Sequence, residues 1–382
     1  MAARRGVAFH LNWREVSGSL GDLGTLLPLM LGSIAVAGLA PTPVLLGFGA
    51  FYCASALYYR LPIPVQPMKA VAAVVVASGI APATLAVTGV MLGLVLLVLG
   101  LTGWIRHVAR LVPQSVLAGL QLGLGLTLAL ASVDLLRQQP VLGGGVLALL
   151  LVMLRLPRLP GALIALAAAV IAGTLTGTPG MVPETAASGP ALPPLPTPAE
   201  IERAFTVFVL PQLALSLTNA VLLTALVAGD YFGDRAAHVT TPRLSISSGL
   251  ANLLLVPLGA LPMCHGAGGL AAHHRFGARS GTAPLLLGLA LVMLGLLPAD
   301  VALAVFAAIP AAALGALLLV AAGELALTRR LFDCKPSCWP VIAVTASMTV
   351  AVNPFAGLLL GVLSERLRSR VVRRLYERSA RR

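Results

Sequence analysis

A handful of residues in this sequence could do chemistry, and each stands where its neighbours are apolar. Gln66, Pro67, Met68 and Lys69 sit in IPVQPMKAVAA, and Cys264, His265, Gly266, Ala267 and Gly268 sit in LPMCHGAGGL. Asp22 lies in SGSLGDLGTLLP, and Asn219 lies in SLTNAV with Ser216 and Thr218 nearby. Lys69 supplies a compact positive charge, and Gln66 and Asn219 supply neutral hydrogen bonds to oxygen. The glycines let a ligand approach the backbone closely. Asp22 and His265 are the groups that could carry a proton. That combination suits the non-covalent holding of an anion. Each residue also has a structural reading: Lys69 paired with Asp22, His265 satisfied by neighbouring carbonyls, Cys264 as a small packing residue, Asn219 as a helix-packing amide. Catalysis at a metal is the weaker alternative, because Cys264, His265, His273 and His274 match neither H-E-x-x-H nor paired C-x-x-C spacing.

The elements that must position these residues are membrane-spanning. The 382 residues are 58% hydrophobic and 10% charged, with mean hydropathy +0.95, against about 45–50% and about 25% in soluble domains. Proline, glycine and charge divide the chain into apolar segments at 17–39, 43–59, 67–79, 82–102, 113–133, 140–154 and 161–178, then 206–228, 242–260, 262–272, 282–297, 299–322, 339–352 and 354–367. The corresponding divisions are a cytoplasmic tail (1–16), a first seven-segment repeat (17–178), an extracytoplasmic loop (179–205), a second repeat (206–367) and a basic cytoplasmic tail (368–382). The N-terminus has no apolar core or cleavage site of a signal peptide.

Charge placement tests that count. With the N-terminus inside, 23 of the 26 Lys and Arg fall on the cytoplasmic side, leaving Arg137, Arg203 and the intramembrane Lys69. The net charge of +13 therefore reads as positive-inside bias rather than as a nucleic-acid surface. Four cysteines make no disulfide framework, and Cys334 and Cys338 form C-x3-C in a basic loop. Asp230, Asp234 and Arg235 read as a loop, and Glu324 reads as a surface residue near Arg329.

Seven segments per half is an odd number, so the second half enters the membrane inverted, a common plan in secondary transporters. From Gly21 to Pro67 is 46 residues, as is Ser216 to Pro262. Segments three and ten are too short to cross: Pro67–Ser78 is about 18 Å of helix against a hydrocarbon core of about 30 Å. Each is expected to be an extended lead-in to mid-membrane followed by a half-helix, with proline in its first turn. Irregular backbone at that depth is tolerated only when buried in protein or lining a wet cavity. Two such N-termini facing one place would favour an anion.

At these residues the chain resembles the molybdate transporter family, related to the SulP sulfate permeases. The strings that carry the resemblance are GDLGTLLPLM, PIPVQPMKA, SLTNAV and PMCHGAGGLAAHHRFGARSG, and it extends from about Trp13 to about Glu365. The resemblance implies an all-α, seven-plus-seven inverted-repeat transporter of the uracil permease and SulP type, with a core domain holding substrate and a separate gate domain. It implies a tetrahedral oxyanion between Gln66–Lys69 and Cys264–Gly268, closed by Asp22, Thr25 and Asn219. It implies molybdate uptake by alternating access, open to proton coupling through Asp22 or His265, with no cofactor and no enzymatic activity. Many SulP proteins carry a soluble C-terminal domain; here residues 368–382 alone follow the last segment, in keeping with the molybdate branch. Sulfate or general oxyanion transport on the same fold is the nearest alternative, ahead of a nucleobase permease, an anion channel or a membrane metalloenzyme. The expected setting is a bacterial plasma membrane with both termini cytoplasmic, and homodimerisation would fit related folds.

Overall fold

The computed structural model describes residues 9–36, 38–109, 112–156, 159–178 and 195–379. Most of the extracytoplasmic loop read at 179–205, the first half of the N-terminal tail, and Arg110 and Arg158 lie outside them. In the first half the helices are α1 (Trp13–Ser19), α2 (Leu23–Ala35), α3 (Pro41–Tyr59), α4 (Lys69–Ser78), α5 (Pro82–Thr102), α6 (Ile105–Ala109), α7 (Gln114–Gln138), α8 (Pro140–Leu154) and α9 (Gly161–Leu175). The second half holds α10 (Pro198–Arg203), α11 (Leu210–Leu215), α12 (Thr224–Phe232), α13 (Thr241–Leu255), α14 (Ala267–Arg275) and α15 (Thr282–Gly295). It ends with α16 (Ala299–Ala307), α17 (Ala311–Ala326), α18 (Arg329–Phe332), α19 (Trp339–Ala351) and α20 (Pro354–Ser379). By length and composition, the stretches Trp13–Ala35, Pro82–Thr102, Gln114–Gln138 and Pro198–Ala236 can each cross a membrane.

The most extensive helix pairings run mainly between the two halves, with α19 on α20 a pairing inside the second half. α3 packs on α15, α5 on α13, and α7 on both α17 and α19. With no hydrophobic drive between helices in lipid, close backbone approach has to do this work. The α5–α13 contact is the clearest case. A Cβ on Gly93 would lie 2.9 Å from the Gly249 carbonyl oxygen, and one on Gly249 would lie 2.9 Å from that of Gly93. These pairings sort the helices into a group containing α1–α5 and α11–α15 and a group containing α7–α9 and α17–α20, which meet where α4 packs on α7 and α2 on α17.

Three sequence-based expectations need correction. Segment twelve, read as 299–322, is two helices, because Pro310 stands at the N-cap of α17 and cannot continue α16. Segments three and ten do carry short helices, but Pro67 and Pro262 lie in the extended lead-ins rather than in the first turn. Segment fourteen runs on to Ser379, since the basic tail keeps helical side-chain pairs. Arg368 forms an ion pair with Glu365, and Ser369 donates to the same carboxylate at 3.1 Å.

The N-terminal helix is anchored by a buried acid. Glu15 is 2% exposed and accepts from the backbone N–H groups of Arg279 (2.8 Å) and Ala283 (3.2 Å), tying α1 to the start of α15. Replacing it by alanine leaves the buried Ala283 donor unpaired, at about 1–3 kcal/mol, and frees the part-buried Arg279 N–H as well. Glu15→Ala should therefore lower the midpoint of thermal unfolding in detergent by several degrees, with Glu15→Gln recovering part of the loss.

Candidate functional site

The two lead-ins meet. Gln66–Pro67 (β1) and Met263–Cys264 (β2) form a two-residue antiparallel ladder with Gln66 opposite Cys264 and Pro67 opposite Met263. The Met68 N–H extends it by donating to the Pro262 carbonyl at 2.9 Å. Asn252 of α13 holds the second strand from both sides, accepting from Met263 N–H at 3.0 Å and donating to Met263 O at 2.6 Å. All the irregular backbone at membrane depth is thus paired or buried, as hydrocarbon demands.

The two half-helix N-termini are not equivalent. In α4 the N–H groups of Ala70 and Val71 donate to Gln212 Oε1, at 2.8 and 3.3 Å. Gln212 in turn donates to Ser216 Oγ at 2.8 Å. Among the described residues no partner is found for the Ala267, Gly268 and Gly269 N–H groups that open α14, and Gly266 offers no side-chain cap. The expectation that both N-termini present free donors therefore holds at α14 and fails at α4, where Lys69 is the first helical residue and supplies charge instead.

A cavity of about 340 Å³ lies against these ends. Its wall includes Gln66, Pro67, Lys69, Asn219 and the whole run Cys264–Gly268, together with Gln212 and Ser216. Asn219 is half-buried, and among the described residues its side-chain amide has no hydrogen-bond partner. It sits in Ser216–Leu223, a π-helical stretch whose wider turn is typical of functional positions. Met68 is fully buried and contributes backbone rather than a cavity-facing side chain. Thr25 faces a second cavity, of about 380 Å³, which it shares with Lys69, Gly268, Arg275 and Glu324. Glu324 is exposed, as the sequence suggests, but it borders this second cavity, and α17 continues past it to Ala326.

Asp22 lies behind the first cavity. It is 1% exposed, and its two oxygens accept from Gln66 Nε2 and, at 3.1 Å, from Tyr52 Oη. Among the described residues it makes no ion pair with Lys69. The glycines of the HGAGG run serve this arrangement more than they serve a ligand. A Cβ on Gly266 would collide with Gln66 Oε1, and one on Gly269 would lie 2.6 Å from Gln66 Nε2 and 2.7 Å from Asp22. Gly268 alone of the three has open space before it.

His265 is fully buried with both ring nitrogens occupied. Nδ1 donates to the Pro64 carbonyl at 2.8 Å, and Nε2 lies 2.8 Å from Ser247 Oγ. A carbonyl can only accept, so the proton is on Nδ1 and the neutral ring accepts at Nε2. His273 donates from Nδ1 to Gly18 O at 2.7 Å, while His274 stacks on Tyr231. The histidines therefore point to different partners instead of converging with Cys264.

Sequence reasoning did not single out Gln212, Tyr52, Gln121, Thr328 or Arg330. Gln212 and Tyr52 carry local signals, as polar groups in apolar runs. Their partners lie 142 and 30 positions away; that of Gln212 is set by the interleaving of the halves, and that of Tyr52 by the packing of α3 beside Asp22 within the first half.

A sequence profile described as "Molybdate transporter of MFS superfamily" matches residues 14–128 and 204–325. Molybdate transporter 1 of Arabidopsis thaliana is 30% identical over 94% of this chain and 88% of its own length. Molybdate transporter 2 of the same plant is 30% identical over 91% and 86%. Among solved structures, the transmembrane domain of the cyanobacterial bicarbonate transporter BicA superposes with TM-score 0.64 at 18% identity, covering 94% of this chain and 98% of that one. SLC26A9 superposes with TM-score 0.66 at 13% identity, covering 93% and 65%. The fold is thus the inverted-repeat membrane architecture of the SLC26 and SulP transporters. Similarity over nearly the full length of curated relatives, and a profile match on both sides of the half-helix cavity, show that this chain belongs to the molybdate transporter family.

Proposed function

We propose that the chain carries molybdate across its membrane by alternating access, with the anion held in the 340 Å³ cavity between Lys69, the first turn of α14 and Asn219. The observation that carries this reading is that Lys69 lines one cavity with Ala267 and Gly268, whose backbone N–H groups have no partner among the described residues. A tetrahedral dianion loses its hydration shell there, and isolated buried charge is very unfavourable. Donors held in place by the β1–β2 ladder offset that loss without further ordering. The family resemblance and the names of the relatives support molybdate over other oxyanions.

The group with α1–α5 and α11–α15 would move against the group with α7–α9 and α17–α20. The cavity reaches Thr328, Arg329 and Arg330, on the face that the charge count assigns to the cytoplasm, so this conformation reads as inward-open. Proton coupling is assigned here to Asp22, whose hydrogen bond to Gln66 links a titratable group to the cavity wall. His265 is left as the residue that pins the second lead-in to Pro64.

The test is molybdate accumulation in proteoliposomes, read by mass spectrometry, with sulfate as competitor and with an imposed proton gradient. Accumulation that withstands excess sulfate and follows the gradient is the expected result. Equal competition by sulfate would move the substrate to oxyanions in general, and indifference to the gradient, unchanged in Asp22→Asn, would remove the proton. A hydrogen bond to a charged group contributes about 1.5–3 kcal/mol. Asn219→Ala should accordingly weaken binding by about 10- to 100-fold while leaving the unfolding midpoint near that of the parent.

A further inference from the structure

The wall of the cavity contributed by α7 and the N-terminal end of α18 carries a group that the half-helix site does not use. Arg330 is partly buried, and its Nη1 is closed off from solvent without a hydrogen-bond partner. Among the described residues the Arg330 guanidinium makes no hydrogen bond and no ion pair. Beside it on the same wall are Arg329, Thr328 and Gln121. Gln121 is 4% exposed, and its Oε1 already accepts from the Thr328 hydroxyl at 3.3 Å, so its amide N–H groups are what remains for a ligand.

Resting on the anion-transport reading above, we propose that Arg330, Arg329 and Gln121 form a second oxyanion subsite on the gate-side wall of the cavity, separate from the one at Lys69 and α14. A buried, unpaired polar atom is rare in native structures. A closed-off cationic nitrogen calls for an acceptor, and no carboxylate reaches it. A water molecule would satisfy the hydrogen bond but not the charge. The planar guanidinium fork matches the spacing of two oxygens on one centre. The Lys69 subsite is built on α4, α14 and the stretch around Asn219. The Arg330 subsite is built on α7 and the first residues of α18, in the other helix group. The 340 Å³ they share equals about eleven water volumes at about 30 Å³ each, enough for an anion to pass between them partly hydrated. An anion exchanged between the two would meet positive charge at both ends of its path. The effect is on the rate of exchange more than on the depth of the central site.

The experiment uses purified full-length protein in neutral detergent. Molybdate association is followed by stopped flow at low and high chloride, for the parent, Arg330→Gln, Arg330→Lys and Gln121→Leu. Electrostatic steering commonly changes on-rates by about 10-fold or more. Arg330→Gln should slow association about 10-fold and flatten its salt dependence, with the equilibrium affinity changed much less. Arg330→Lys should recover most of the rate, and Gln121→Leu should slow association without altering the salt dependence. Rates and salt dependence in Arg330→Gln equal to the parent's would overturn the subsite while leaving molybdate binding at Lys69 intact. A defect in Arg330→Gln that appears only after anionic lipid is added would assign the arginine to a lipid phosphate and also overturn it. Absence of molybdate binding by the parent would remove the central reading together with this one. Should Arg330→Gln not remain monodisperse, Gln121→Leu carries the test, and an association rate equal to the parent's would overturn the subsite.

Discussion

Lys69→Ala should reduce molybdate binding by at least about 100-fold, equivalent to about 2.7 kcal/mol at about 1.36 kcal/mol per tenfold. Lys69 is the first residue of α4 and borders both large cavities. Two unit charges about 4 Å apart interact by about 4 kcal/mol at an effective dielectric constant of about 20, and a dianion doubles the charge. Desolvation takes back part of this, which leaves the 100-fold figure as a floor. The lysine cannot be replaced by the α4 N-terminus itself, because the Ala70 and Val71 donors are committed to Gln212. Lys69→Arg keeps the charge but brings a longer, planar group, and should restore binding only in part. Isothermal titration of molybdate into the purified variants measures both. Near-parental affinity in Lys69→Ala would mean that the α14 donors hold the anion alone.

The second large effect separates two neighbouring glycines. Gly269→Ala should destabilise the protein and abolish uptake, whereas Gly268→Ala should fold normally. A methyl group on Gly269 would enter the space of Gln66 and Asp22, at 2.6–2.7 Å, and neither neighbour is a loose chain end. Gln66 is fixed in β1, and Asp22 is held by Tyr52 as well. Overpacking of this kind costs about 1–3 kcal/mol, and here it also pulls apart the Gln66–Asp22 hydrogen bond behind the cavity. Gly268 meets nothing within 4 Å, so its methyl group would occupy cavity space. Its expected signature is an unchanged unfolding midpoint with weaker anion binding. Thermal unfolding and uptake measured side by side resolve the pair, and equal midpoints for the two variants would contradict the assignment.

The membrane class, the short half-helices and the meeting of 66–69 with 264–268 were legible because each leaves a local mark: apolar runs, prolines before a short apolar stretch, and a lysine where none is tolerated without function. The break in segment twelve was also marked, by Pro310, but a run of alanines on both sides concealed it. The roles of Gly266 and Gly269 were not legible. A glycine that admits a ligand and one that admits a glutamine side chain look alike in sequence, and only the position of Gln66 distinguishes them. The same holds for Gln212, whose partner is the backbone of a helix 142 residues earlier. Likewise nothing in the sequence shows that the exposed Glu324 borders the same cavity as Thr25 and Lys69.

The exchange of partners between the halves also sets an order of events in the life of the chain. Gln212 and Pro262, both from the second half, supply the acceptors for Ala70, Val71 and Met68 in the first. While the ribosome is still making the second half, the first half must sit in the bilayer with those donors unmet and with Lys69 unshielded. A charged residue at mid-membrane costs about 2.5–3.5 kcal/mol on insertion scales. The newly inserted first half is therefore incomplete until the second half packs against it. The candidate site is complete only when the second half has supplied Cys264–Gly268 and the two lead-ins close on each other.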